Sequence, residues 1–99
     1  MKLKVGRAAA DDMEGIWLYT TEHWSMGQAD RYLGLLMEGF EQIRIDPTCG
    51  REFAHVRPGY KALNIGAHVI FYRLADADQV VEVVRVLHER MDLENRVNP

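Results

Sequence analysis

Four histidines, His23, His55, His68 and His88, are the side chains in this sequence best suited to moving protons or holding a metal. They stand far apart, and no HExxH or CxxC spacing groups them, so no metal site and no cofactor is expected. His88 reads as a strand-end histidine bonded to a nearby carbonyl. Cys49 is the single cysteine and precedes Gly50; with no base beside it in the sequence it reads as inert. GxSxG, Walker and GxGxxG motifs are absent. Asp76 and Asp78 flank a turn and read as turn formers. No catalytic residue is expected on these grounds. Six cations, Arg51, Arg57, Lys61, Arg73, Arg85 and Arg90, would make a phosphate-holding patch if the loop carrying Arg57 folded over the sheet end. Trp17 and Trp24 fall on one face of a helix and read as core, with the rim of a partner groove as the alternative.

The elements that must position these residues follow from the period of the apolar pattern. Leu3 and Val5 alternate with Lys2 and Lys4, which predicts a short strand. Met13, Ile16, Trp17, Thr20 and Trp24 repeat at helical spacing, with Asp11, Asp12 and Glu14 expected near the positive end of the helix dipole or on a solvated face. Ser25 followed by Gln28 is a capping box, so a second helix starts there and buries Ala29, Tyr32, Leu33, Leu36, Phe40 and Ile43. Pro47 closes it, and Asp46 before the proline is driven out of the helical region. The short break between the helices predicts an antiparallel hairpin.

From 47 to 59 the chain has no periodicity and reads as a loop, with Arg57-Pro58-Gly59-Tyr60 turning into a strand. Strands follow at 60–65, 68–74 and 80–88, joined by tight turns and therefore antiparallel. In the last of them, strict alternation places Val80, Val84 and Val86 on one face and Val81, Val83 and Leu87 on the other. The polar tail from Glu89 predicts no more than a frayed helical turn. The fold class is α+β: an N-terminal strand, then a two-helix antiparallel hairpin packed on a small antiparallel sheet, as a single domain over 1–99. A single hairpin layer leaves one sheet face partly open.

The chain has 99 residues, 47% hydrophobic and 27% charged, which excludes a disordered or low-complexity protein. No apolar run approaches a membrane span. The N-terminal Met1 to Val5 has no long apolar stretch behind it, which with the lone cysteine predicts a cytoplasmic protein rather than a secreted one. The formal net charge is −3, with the acidic excess in residues 1–50. Proteins that grip nucleic acid carry a basic excess, so direct DNA binding is not expected.

Seven pieces in order resemble the RelE/ParE toxin superfamily of type II toxin–antitoxin pairs, and within it the ParE branch. They run from Ala10-Asp11-Asp12-Met13-Glu14-Gly15-Ile16-Trp17-Leu18-Tyr19-Thr20 through Trp24, Gln28-Ala29, Pro47-Thr48-Cys49-Gly50-Arg51, Arg57-Pro58-Gly59-Tyr60 and His68-Val69-Ile70-Phe71-Tyr72-Arg73 to Val84-Arg85-Val86-Leu87-His88-Glu89-Arg90-Met91-Asp92. The resemblance implies a strand–helix–helix–three-strand fold and a toxin that inhibits DNA gyrase. It also implies neutralisation by a ParD-like antitoxin, which alone contacts DNA. The alternative is the RelE activity, ribosome-dependent mRNA cleavage. Of the basic and aromatic positions that branch uses, Lys61 and Arg90 fit two. Leu63 and Val69 stand where a lysine and an arginine would be, and no tyrosine follows Tyr72. The expected activity is therefore protein binding, not bond breaking. The expected target-facing residues are His88, Arg90, Met91 and Asp92, with Arg57 and Tyr60 beside them. Trp17, Tyr32 and Leu36 are expected to meet an antitoxin helix.

Overall fold

The computed structural model describes residues 1–54, 57–77, 79–91 and 93–97. Its elements are β1 (Lys2–Val5), α1 (Arg7–His23), α2 (Met26–Ile45), a 3-10 turn (Pro47–Cys49), β2 (Arg51–Glu52), β3 (Lys61–Ile65), β4 (His68–Ala75), β5 (Val80–His88) and α3 (Leu93–Val97). The sheet order is β1-β5-β4-β3-β2. The hairpin and the three expected strands are where the apolar periods place them.

Four features differ from the sequence reading. First, the sheet is not wholly antiparallel. β1 runs parallel to β5, with Lys2 opposite Val80 and Val5 opposite Val83. The whole domain lies between these two strands in sequence, so no tight turn dictates their relative direction. Second, 47–59 is not all loop. Asp46 leaves the helical region at φ −137° and its carboxylate accepts from Thr48 N at 3.1 Å, starting the 3-10 turn. The chain then pairs Arg51 and Glu52 with Ala62 and Lys61. Two residues are too few to show alternation.

Third, β5 carries a bulge. Tyr72 faces Val83 but Phe71 faces Arg85, leaving Val84 as the extra residue. The inward phase therefore slips by one: Val81, Val83 and Val86 all pack under the hairpin, while Leu87 faces the other way. Strict alternation had put Val86 on the wrong side. Fourth, the second sheet face is covered. Phe53, Ala62, Val69, Phe71, Leu87 and Val97 form a second small core, with Phe53 edge-on to Phe71 at 4.9 Å between ring centres. The C-terminal tail is thus a packing element, anchored by Val97 from α3.

The main core joins Leu36, Phe40 and Ile43 of α2 to Ile70, Tyr72, Val81, Val83 and Val86 of the sheet. α2 can approach this closely because Gly39 has no side chain. A Cβ there would lie 2.9 Å from both Ile65 and Ile70. The helix start is as expected, with Ser25 Oγ accepting from Gln28 N at 3.0 Å. The Gln28 side chain does not close the reciprocal half of the box; it accepts from Arg31 instead. α1 ends at His23, so Trp24 leaves the helical stripe and is 76% exposed rather than core.

Tyr72 is fully buried, and its hydroxyl fixes the 3-10 turn by accepting from Gly50 N at 2.9 Å and donating to Pro47 O at 2.7 Å. Burial pushes its pKa up to about 12. Tyr72→Phe removes both partners at once and leaves two backbone groups unpaired. Stability is expected to fall by about 1–3 kcal/mol, read from chemical denaturation. A loss under about 0.5 kcal/mol would mean that water replaces the hydroxyl.

Candidate functional site

The end of β5 brings three of the expected target-facing residues together. His88, Arg90 and Met91 line an open groove of about 480 Å³ with Gly15, Ile16, Tyr19 and Thr20 of α1. His68 of β4 completes it, a residue the sequence reading left isolated. Its ring lies edge-on to that of His88, 5.3 Å between centres, because the two are cross-strand partners. Asp92 lies outside the described residues, as does His55. Arg57 and Tyr60 are not beside this groove. They border a smaller hollow of about 260 Å³ with Val84, Arg85, Arg96 and Val97. Tyr60 packs against the second core, across the sheet from the hairpin, and the Arg57 guanidinium sits 5.8 Å from its ring centre.

Two hydrogen bonds fix the imidazoles. The Tyr32 hydroxyl accepts from Ala67 N at 3.1 Å and is hydrogen-bonded to His68 Nδ1, 2.6 Å away. Arg90 N donates to His88 Nδ1 at 3.1 Å. His88 Nδ1 is therefore an acceptor, and its ring offers a donor at Nε2. Burial and the neighbouring His88 hold the His68 pKa below the ordinary imidazole value, against opposing pulls from Glu89 and Asp12. Because the folded pKa is depressed, the unfolded chain binds more protons in acid. The stabilisation is complete above about pH 6.5 and is lost as the pH falls below it. The melting temperature is therefore expected to drop between pH 7.5 and pH 5.5, and His68→Gln to flatten that slope. An unchanged slope in the variant would remove His68 as its source.

The residues expected to face an antitoxin are spread over three depths. Trp17 is half-buried, and its Nε1 donates to Asp30 at 2.9 Å, tying α1 to α2. Tyr32 is half-buried and holds the 66–67 turn through its hydroxyl. Leu36 is 0% exposed, because its position on α2 points straight at the sheet. It supports the hairpin from below. The outer apolar residues of the hairpin are instead Leu18, Met26, Leu35, Met37 and Ile45, each at least 44% exposed.

The cations do not gather into a phosphate clamp. Lys61 pairs with Glu52, Arg73 with Glu82 and Arg85 with Asp12, while Arg51 bonds Asn64. Asp12 was expected to be a dipole partner or a solvated residue. It is neither: it accepts from Arg85 Nε and Nη2 at 2.8 and 2.9 Å, and from Val86 N at 2.9 Å. Among the described residues, no group of three or more His, Cys, Asp or Glu could hold a metal ion.

A family model described as the ParE toxin of the type II toxin–antitoxin system parDE matches residues 3–93. The chain belongs to the ParE toxin family. Toxin ParE1 of Mycobacterium tuberculosis (strain ATCC 25618 / H37Rv) is 38% identical over 90 residues, 91% of each chain. Toxin ParE1 of Caulobacter vibrioides is 35% identical over 89 residues, 90% of each chain. Toxin ParE of Escherichia coli is 30% identical over 89 residues, covering 90% of this chain and 85% of that one. The fold matches a chain of the chromosomal ParDE TA system from P. aeruginosa with a TM-score of 0.77 at 18% identity, over 89% of this chain and 95% of that one. As a ParE toxin of a type II toxin–antitoxin system, the protein works by binding other proteins and not by catalysis. Of the positions where the RelE branch carries cations, two hold Lys61 and Arg90 and two hold the apolar Leu63 and Val69. Val69 is buried at 1% exposure, and Leu63 packs against the main core.

Proposed function

We propose that this ParE toxin acts in the cytoplasm, where it inhibits DNA gyrase and so blocks replication, and that a ParD-like antitoxin neutralises it. Family membership carries the reading. The apolar Leu63 and Val69 at two of the RelE cation positions support it, because they leave only Lys61 and Arg90 of that charge set to stabilise a phosphodiester transition state. Among the described residues, no helix is long and apolar enough to cross a membrane. The antitoxin would lay an amphipathic helix on the hairpin, touching the Trp17 rim and the outer Leu35 and Met37 above the buried Leu36, with Tyr32 holding the turn beneath. Gyrase would meet the groove of His88, Arg90 and Met91; the hollow at Arg57 and Tyr60 would form a separate patch on the other face.

The test is a pair of assays on the purified toxin. Gyrase supercoiling should be inhibited, and messenger RNA on translating ribosomes should stay intact. Co-expression of the short reading frame next to the toxin's own should restore growth. Codon-specific messenger cleavage with untouched supercoiling would reverse the assignment.

A further inference from the structure

The groove at the end of β5 has a chemistry that the gyrase reading does not by itself specify. Its floor is apolar, made by Ile16, the Tyr19 ring and Met91, with open space over Gly15. One wall carries donors, beside the hydroxyls of Tyr19 and Thr20. His88 keeps an N–H at Nε2, since its Nδ1 accepts from Arg90 N. Arg90 adds an exposed guanidinium. Among the described residues no carboxylate lines the groove, although Glu89 on the adjoining turn and Asp12 both pull on His68. An exposed guanidinium and an imidazole N–H beside an apolar floor select an anion carried next to an apolar group.

We propose that this groove seats an acidic segment of the toxin's protein target, an apolar side chain on the floor and an Asp or Glu carboxylate held by Arg90 and the His88 Nε2–H. This rests on the toxin reading above and adds the chemistry of the docked segment. The groove opens onto Tyr19 and Met91, 61% and 43% exposed, so the apolar contact continues beyond the cavity as it would for a protein rather than a small anion. The surface argues against the antitoxin as occupant. The two hairpin helices carry the exposed acids Asp11, Glu14, Glu22, Asp30, Glu38 and Glu41 against the exposed Arg7 and Arg31, an acidic excess that favours a basic partner helix. A basic helix suits the hairpin, whereas the groove asks for an acid. A second copy of this acidic chain would put like charges together on the hairpin.

The test uses the intact chain and two variants. Gly15→Leu fills the floor from an exposed helical position with nothing within 4 Å of the new Cβ. Arg90→Glu reverses the wall, and Arg90→Lys serves as its conservative rescue. Each of the first two is expected to need about tenfold more toxin for half-inhibition of supercoiling and to relieve growth arrest, while antitoxin affinity stays within about threefold of wild type. Arg90→Lys should recover most of the inhibition, which a merely misfolded Arg90→Glu would not predict. Wild-type potency in both variants overturns the proposal. So does a loss confined to antitoxin affinity, which assigns the groove to the antitoxin, or a wild-type dimer that the variants dissolve. If the wild type arrests growth without touching gyrase, the gyrase reading fails alone, and the growth assay still decides the groove.

Discussion

Asp12→Ala is expected to destabilise the protein by about 3 kcal/mol, the largest loss among single substitutions that remove no apolar core atom. β1 covers the outer edge of β5 only as far as Val83, because Gly6 turns the chain away into α1. Beyond that point the edge of β5 has no strand beside it. The Asp12 carboxylate takes the place of the missing strand, accepting from Val86 N, and at the same time neutralises Arg85 in a fork of two bonds. Arg85 in turn donates to Arg96 O, so α1, β5 and α3 meet at one residue. Both side chains are largely covered, 15% exposed for Asp12 and 26% for Arg85, so water does little to replace the lost partner. The variant therefore strands a charge and a backbone N–H together. For a domain of this size the expected fall in melting temperature is about 12–24 °C. Asp12→Asn should keep the Val86 bond and lose less. A loss below about 1 kcal/mol for Asp12→Ala would show that Arg85 finds solvent and that the pair is no keystone.

Much of this fold can be read from the sequence, and the parts that cannot share a cause. The two helices and β3 to β5 are long enough for their apolar period to stand out. Ser25 and Pro47 mark the boundaries of α2 through local backbone chemistry alone. β2 has two residues, and its pairing is decided by the distant β3. The parallel partner of β1 is likewise decided across the whole chain. The candidate groove shows the limit best. Counting outward from the Ala75–Val80 pair without a bulge sets His68 opposite Leu87. The extra residue, Val84, shifts that register by one and brings His68 to His88. A run of valines gives no local sign of where a strand will bulge. The C-terminal residues of the groove were legible because a polar cluster follows an apolar strand. Their α1 neighbours were not: Gly15, Ile16 and Tyr19 look like ordinary helix positions until the sheet end is placed beneath them. Asp12 was missed for the same reason, since its partner stands 73 residues away.

Leu36→Ala and Trp24→Ala separate the two roles that an apolar helical stripe can have. By sequence spacing both residues fall on such stripes, and burial divides them: Leu36 is 0% exposed and Trp24, past the end of α1, is 76% exposed. Leu36 is packed in the main core between hairpin and sheet. Removing its branched end leaves a cavity that cannot collapse, because Gly39 already brings α2 within contact of Ile65 and Ile70. The expected loss is about 3 kcal/mol, within the usual range of about 2–5 for a buried leucine. Trp24 has left the helix, and most of its ring is already in water, so truncation should cost under about 0.5 kcal/mol. Denaturant midpoints at a common slope give both numbers. If Leu36→Ala also weakens antitoxin binding, the affinity should return in proportion as the fraction of folded toxin is restored at lower temperature. An affinity loss that persists in fully folded Leu36→Ala would mean that the hairpin opens to admit its partner, and that this buried leucine becomes part of the interface when it does.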